Sequence, residues 1–312
     1  MGEAREKEFW LLRVDRRWVY LAVAIALAGP LIFRWAMPPA KIGTAEQFFE
    51  VAEKIEGGDG KLVLIAMDWG PGTQAENKPQ TEMLIRHLMH RRVKFGVISC
   101  YVLAEPFLLN LPKNVAADLN EQYEGTGKTW EYGRDWVNLG YRPGWTIMVQ
   151  GLAKSEDLHD YFKTDANGTD IGEIECMKNV KTIKDMPALG EFTGLVGAVQ
   201  VWLQFFNRQE HRPTYLHGCT SISIPEAFIY LDSEQIAALQ EGVAGAAYYG
   251  QLMTEKYVEK GLGKEPEKAS SAAVAMTSLS VAHFVIIFFI AIGNFGVLWP
   301  RIRRRLGGGT AS

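Results

Sequence analysis

Cysteine is scarce in this chain, and a strong basic charge is absent. The 312 residues include three cysteines, Cys100, Cys176 and Cys219, and none of them has CxxC spacing. This pattern argues against a disulfide scaffold and against a cysteine-rich zinc site. The formal net charge is −3, which argues against a strongly basic nucleic-acid binder. We therefore expect no nucleic-acid partner.

The chain also lacks the short motifs of several enzyme classes. No Gly-Lys-Ser/Thr follows Gly72, so there is no P-loop, and GPGT at 70–73 lacks GxGxxG spacing. A GxSxG nucleophile elbow is absent as well. His87 and His90 could share a metal, but no third ligand stands beside them. The sequence accordingly predicts neither a metal site nor a cofactor.

Two long segments are nearly free of charge. Residues 18–33 contain no charged side chain, and Arg34 follows closely enough to snorkel, which extends the first segment to residue 36. Residues 277–299 form the second. Each approaches the length that ~30 Å of hydrocarbon requires. We predict transmembrane helices at 18–36 and 277–299. The first could instead be a cleavable signal peptide, although no A-x-A site lies cleanly beyond it.

The distribution of basic residues predicts an orientation. The tails at 1–17 and 300–312 carry nine lysines and arginines, against five on the inner flanks of the two segments. The positive-inside rule then places both tails in the cytoplasm of an inner or plasma membrane. A domain at 40–259 would lie outside the cytoplasm, joined by a linker at 260–276 to the second span.

Between these spans, strand and helix patterns alternate. Strands are predicted at 61–68, 93–101, 145–151, 195–201 and 214–221. Helices are predicted at 44–56, 79–92, 105–124, 155–165, 202–212 and 232–260. The segment 129–145, rich in tryptophan and tyrosine, is expected to be a long loop that forms a satellite core or a contact surface.

This alternation predicts an α/β fold, with a doubly wound, mostly parallel sheet of about five strands. In outline it resembles flavodoxin-like domains, a likeness of fold that transfers no function. An alternative interpretation makes 195–206 one continuous helix and leaves a four-stranded sheet.

Candidate catalytic residues follow from the ligand position in such sheets, beyond the carboxyl ends of the strands. This rule selects Asp68, His217 and Cys219. Asp68 could bind Mg²⁺, accept a phosphoryl group or act as a base, or it could simply accept hydrogen bonds from the turn at 70–72. His217 and Cys219 would lie ~6–7 Å apart on a strand, too far for a direct hydrogen bond. Cys219 could instead be a small buried side chain.

Candidate interface residues occur in two helices. The predicted last helix holds Gly242, Gly245, Ala246, Tyr248, Tyr249 and Gly250. Such small residues allow close packing, either against the chain's own sheet or against a neighbouring subunit. In the second span His283 and Asn294 lie on nearly the same helical face, and Gly293 beside Asn294 would let another helix approach.

Together these features predict a non-enzymatic, membrane-anchored subunit or scaffold of a larger membrane assembly. It would act through lateral packing of its α/β domain and its transmembrane helices. The expected partners are the lipid bilayer and either further copies of the chain, as a homo-oligomer, or other membrane protein subunits. Two alternatives use Asp68 and the strand-end loops: a membrane-anchored hydrolase or transferase, and a solute-binding sensor.

Overall fold

The computed structural model describes residues 15–207, 212–258 and 271–307. The chain divides into two compact units, one comprising Met1–Met37 with Val274–Ser312 and the other Pro38–Ala273. Most of the predicted tails, much of the linker at 260–276 and the end of the helix predicted at 202–212 lie outside the described residues.

The first unit contains two apolar helices, α1 (Arg16–Phe33) and α10 (Ser271–Gly307). Both are long and apolar enough to cross a membrane. They contact one another through Ser278, whose hydroxyl donates a hydrogen bond to the main-chain oxygen of Leu27 over 2.6 Å. The predicted apolar segments are therefore helical, and this hydrogen bond joins them.

The second unit is built on a sheet of six strands. They are β1 (Val63–Asp68), β2 (Phe95–Ser99), β3 (Trp136–Tyr141), β4 (Ala188–Thr193), β5 (Thr214–Cys219) and β6 (Ala238–Glu241). Every neighbouring pair is parallel, in the order β3-β2-β1-β4-β5-β6. The predicted α/β class is confirmed. The flavodoxin-like order, 2-1-3-4-5, is not the order observed, because β3 pairs outside β2 and β4 returns to the free side of β1.

Helices cover both faces of this sheet. On one face lie α2 (Gly43–Lys54), α3 (Gln74–His90), α4 (Glu105–Gln122) and α9 (Gly242–Met253). On the other lie α5 (Thr146–Lys154), α6 (Leu158–Phe162), α7 (Ala198–Phe206) and α8 (Ile224–Asp232). β1 contributes Ile65 to the first core and Leu64 to the second. Burial on both faces explains why its sequence is an unbroken apolar run.

The third strand was predicted at the wrong place. Residues 146–151 belong to α5, in which Met148, Val149 and Leu152 are buried while Ile147 is exposed. Such a short apolar run fits a strand or a helix equally well, and packing against α7 decides it here. The strand itself is β3, inside the aromatic segment that was expected to be a loop. Trp136 is buried there in the core of the domain.

The fourth strand and the last helix also differ from prediction. Residues 195–201 run into α7, close to the alternative of one helix over 195–206, and the strand is β4 just before them. The helix predicted at 232–260 is divided, because residues 238–241 form the edge strand β6. Alanine, leucine, glutamine and glutamate favour helices intrinsically, so pairing with β5 overrides local propensity at β6.

Candidate functional site

The candidate site lies where the order of the strands reverses. β1 has β2 on one side and β4 on the other, and the chain proceeds outward from each in opposite directions. Ligands of doubly wound sheets bind beyond the carboxyl ends of the strands at such a point. Asp68, the last residue of β1, pairs in register with Thr193 at the end of β4. The sequence-predicted Asp68 therefore stands at the reversal point.

Asp68 is fully buried, and donors from neighbouring elements hold its carboxylate. Oδ1 accepts hydrogen bonds from the hydroxyl of Ser99, over 2.9 Å, and from the main-chain N–H of Cys100, over 2.7 Å. Oδ2 accepts one from Nε1 of Trp202, over 2.7 Å. These donors come from the end of β2 and from α7 rather than from the turn at 70–72. Asp68 thus ties three elements together at the carboxyl edge of the sheet.

The surroundings of Asp68 change its acidity. Burial, together with the negative charge of Glu191, raises the pKa of Asp68 to about 7, although the hydrogen bonds from Trp202, Cys100 and Ser99 act in the opposite direction. A carboxyl group with this pKa exchanges its proton near neutral pH, as a general acid or base must.

Glu191 is a site residue that sequence reasoning missed. It is fully buried inside β4 and lies opposite His217 of β5 in the parallel register. Nδ1 of His217 is 2.6 Å from Oε2 of Glu191 and 3.2 Å from the Glu191 main-chain oxygen. A fully buried glutamate is rare unless it is paired. The one sequence feature that could have indicated Glu191 is a glutamate within the largely apolar segment ALGEFT at 188–193.

Several buried polar atoms of the described residues in this region have no hydrogen-bond partner, among them Oε1 of Glu191 and the hydroxyl of Tyr215. Burial, with the charges of Glu191 and Asp68, raises the pKa of Tyr215 well above its ordinary value, so the hydroxyl keeps its proton. Leaving such a buried group unpaired costs about 1–3 kcal/mol. We call Asp68, Glu191, Tyr215 and His217 the buried acid–base group.

Cys219 is poorly suited to act as a nucleophile with His217. The thiol is fully buried, and burial, with the charges of Glu191 and Glu241, raises its pKa to about 12. Because the thiolate is the reactive form, such a thiol is nearly inert at neutral pH. Cys219 therefore has the properties of a small buried side chain.

Side chains from the first half of α3 fill the crevice at the strand ends. Nε2 of Gln80 donates to the main-chain oxygens of Cys219, over 2.8 Å, and of Gln240, over 3.1 Å. Nδ2 of Asn77 donates to the main-chain oxygen of Thr193, over 3.1 Å. The ends of β4, β5 and β6 are thereby joined to one helix.

A cavity of about 20 Å³ remains beside the ends of β4 and β5, and its lining includes Thr193 and His217. This volume is room for about one water molecule. Gly218 permits the close packing next to it, because a methyl group there would overlap the ring of Phe192. The arrangement has the groups to exchange protons, but this cavity does not admit a substrate.

Neither the histidine pair of α3 nor any other described cluster resembles a metal site. No group of three or more His, Cys, Asp or Glu side chains among the described residues could hold a metal ion. His87 is hydrogen-bonded to Tyr249 over 2.5 Å and to Glu53 over 2.7 Å. His90 stacks on Tyr257 with 4.7 Å between ring centroids. Both histidines thus join α3 to neighbouring helices.

The candidate interface residues of the last helix are buried within the domain. This holds for all six: Gly242, Gly245, Ala246, Tyr248, Tyr249 and Gly250. Their helix, α9, packs against α2 and α3. The ring of Tyr249 meets that of Phe48 edge-on, with 5.5 Å between centroids. These residues therefore contact helices of their own domain.

The polar residues of the second apolar segment lie on a different surface. His283 and Asn294 are exposed on α10, and a Cβ added at Gly293 would meet no atom within 4 Å outside its own stretch of helix. The buried residues of the same helix include Ser278, which bonds to α1, and Ala282. His283 and Asn294 therefore face away from the helix pair.

Comparison with protein family models, with curated proteins and with solved structures finds no match to this chain. The fold defines an α/β protein with two helices that are apolar and long enough to cross a membrane.

Proposed function

We propose that this protein is a non-enzymatic, membrane-anchored subunit of a larger membrane assembly. Residues 18–36 and 277–299 cross the bilayer, both tails are cytoplasmic, and the α/β domain lies outside the cytoplasm. The partners are further copies of the chain or other membrane proteins, which pack laterally against its helices and its domain.

One observation carries this proposal: His283 and Asn294 share an exposed face of the segment 277–299, whose other polar side chains are small hydroxyls. They are three helical turns apart. In hydrocarbon, polar side chains face other helices or water-filled cavities, because an unpaired polar group there is costly. Since the contacts with α1 lie on the face of Ser278, the partner for His283 and Asn294 comes from another chain.

The filled crevice supports the non-enzymatic part of the proposal. The edge of the sheet at which α/β enzymes hold their substrates is occupied here by Asn77 and Gln80. These side chains bind main-chain groups of the strand ends, so their role is to hold the edge of the sheet together. A rigid domain on two tethers suits a subunit that presents surfaces to neighbours.

The mass of the detergent-extracted particle tests the assembly. We expect the wild-type chain to form a discrete particle much heavier than one chain with its detergent. The double variant His283→Leu with Asn294→Leu should shift this particle toward the single chain, because the polar contacts in the bilayer are lost. Phe288→Leu changes an exposed residue on another face of α10 and is the matched control, with no change of mass expected.

Two outcomes contradict the proposal. One is a wild-type particle with the mass of a single chain in every mild detergent. The other is a double variant that assembles as fully as the wild type and the Phe288→Leu control.

A second candidate function is a membrane-anchored hydrolase or transferase, which the buried acid–base group favours. This group contains the side chains that general acid–base catalysis needs, namely Asp68 with a pKa of about 7 and the Glu191–His217 pair. Catalysis would require the ends of β4 and β5 to open.

Hydrolysis of a panel of ester and phosphate substrates tests this second function. The hydrolase or transferase is supported if the wild type is active and if Asp68→Asn and Glu191→Gln each abolish this activity without changing the particle mass. A wild type without activity on any substrate of the panel rejects it.

A further inference from the structure

Exposed aliphatic side chains are concentrated at the carboxyl edge of the sheet. Five of them directly follow four different strands. They are Val102 and Leu103 after β2, Ile147 after β3, Val196 after β4 and Ile222 after β5. We call these five residues the carboxyl-edge patch. The carboxyl ends of parallel strands share one edge, so the patch belongs to one side of the domain.

The exposure of the patch is unusually complete for such residues. Val196 is 93% exposed, Ile222 88% and Ile147 78%, whereas the apolar residues of the strands they follow are almost wholly buried. Water-exposed aliphatic groups at the tips of successive loops mark a surface that binds something apolar.

The segments that carry the patch are held firmly. Ile222 lies in the 3₁₀ turn Ser221–Ser223, where Oε2 of Glu76 accepts a hydrogen bond from the main-chain N–H of Ser221 over 2.7 Å. Leu195, next to Val196, donates its N–H to the hydroxyl of Thr193 over 3.0 Å. The aliphatic side chains are thus presented by ordered main chain, which reduces the entropy lost on binding.

The tips themselves carry no charge. The segments are VLA at 102–104, TI at 146–147, LVG at 195–197 and SIS at 221–223. Arg142, the base that precedes Ile147, is engaged by the main-chain oxygens of Leu139 and Thr164 at 2.8 and 2.7 Å. Contact through these tips is therefore apolar and not electrostatic.

The chain reaches the domain at this same edge. Thr44, near the start of α2, donates a hydrogen bond from its hydroxyl to Glu241, the last residue of β6. The nine residues 34–42 join the end of α1 to the start of α2. Of these, residues 37–42 lie beyond the span at 18–36 and reach about 20 Å at full extension. A bilayer that residues 18–36 cross is thus within the covalent reach of the carboxyl edge.

We infer that the carboxyl-edge patch contacts the lipid bilayer, with its aliphatic side chains inserted at the boundary between headgroups and acyl chains. The inference rests on the membrane anchoring in the proposed function, but it does not depend on assembly. Because the tips are uncharged, the contact requires no anionic lipid and resists salt.

Fluorescent labels on the full chain test this contact in nanodiscs of phosphatidylcholine that hold one copy each. The three native cysteines are buried, so Val196→Cys and Ile222→Cys direct an environment-sensitive dye to the patch. Glu124→Cys is the matched control, since Glu124 is exposed just beyond the other end of α4. At positions 196 and 222 we expect blue-shifted emission that nitroxide-labelled lipid quenches. Neither effect is expected at position 124.

The same result is expected with added phosphatidylserine and at high salt. The inference is overturned if an aqueous quencher reaches the labels at 196 and 222 as readily as the label at 124. The inference is also overturned if the labels are protected from the aqueous quencher only when two copies share a nanodisc, because the patch would then bind a second chain. A large detergent-extracted particle with water-exposed labels would refute this contact and leave the proposed function standing.

Discussion

Glu191 and His217 face one another across β4 and β5, with 2.6 Å between Oε2 and Nδ1. Both side chains are almost completely buried. Each therefore depends on the other, because a buried charge that loses its partner has no solvent to compensate it. The pair lies near Asp68 in the buried acid–base group, so unfolding experiments can measure how much this group contributes to stability.

Removing one member of the pair should cost more stability than removing both. His217→Leu leaves the carboxylate of Glu191 unpaired, and we expect a loss of about 3–5 kcal/mol in the free energy of unfolding. Replacing Glu191 and His217 together by leucine should recover most of this loss. Urea unfolding of the full chain in detergent, followed by tryptophan fluorescence, measures both. A double variant as unstable as His217→Leu contradicts the prediction.

Asp68 should make the domain less stable as the pH rises. Its pKa of about 7 in the folded chain exceeds the value of about 3.9 of an unfolded aspartate. Between these values the folded state binds more protons, so the free energy of unfolding falls from pH 4 to pH 7, by at most about 4 kcal/mol.

The test is Asp68→Asn, which carries no charge at any pH and should flatten this part of the profile. Asp232→Asn, at an exposed position, is the control and should leave the slope unchanged. Equal slopes in Asp68→Asn and the wild type would show that Asp68 does not titrate in this range.

Glu53 should have the opposite pH dependence. Burial raises its pKa, but hydrogen bonds from His87, Lys256 and Tyr257 outweigh this effect and hold the pKa well below the usual range. Their lengths are 2.7, 2.6 and 2.5 Å. The stabilisation is therefore complete above the unfolded-state pKa of about 4.3 and is lost as the pH falls below it.

Glu53→Gln should lower the free energy of unfolding by about 2 kcal/mol at pH 7, because hydrogen bonds to a charged group are replaced by weaker ones. The difference from the wild type should shrink in acid. Glu50→Gln, exposed on the same helix, should have little effect. A cost for Glu53→Gln that is the same at pH 3 and pH 7 would refute the assignment.

Gly218→Ala should destabilise the domain by about 1–3 kcal/mol, as overpacking of a core does. The added methyl group would overlap Phe192 and approach Oε1 of Gln80. Gly72→Ala meets no atom within 4 Å and should change stability by about 0.5 kcal/mol or less. If both variants melt at the wild-type temperature, the strand ends are packed less tightly than described.

The local pattern of apolar and polar residues was sufficient to predict some strands and helices and was misleading for others. β1 and β2 are nearly continuous apolar runs, and β5 follows Pro213, so their positions were predictable. β4 contains Glu191 and Thr193, and the fourth strand was predicted after it, at 195–201. Those two side chains are buried because β4 lies inside the sheet, between β1 and β5, and helices cover both of its faces. No local window of the sequence contains this arrangement.

The candidate site was predictable only in part, for the same reason. Asp68 ends an apolar run, and the rule about strand ends selects it from sequence. Its actual partners, Ser99 and Trp202, are 31 and 134 residues away. The pairing of Glu191 with His217 likewise follows from the register of two strands and not from any motif.

The amino-acid sequence by itself determined the two long apolar helices and the α/β class, since hydrophobic runs and their periods are properties of neighbouring residues. Only the tertiary structure decided the strand order, the edge strand β6, the filling of the crevice by α3 and the exposure of the carboxyl-edge patch. These features arise when segments far apart in the chain compete for the same buried surface, and that competition overrides local preference.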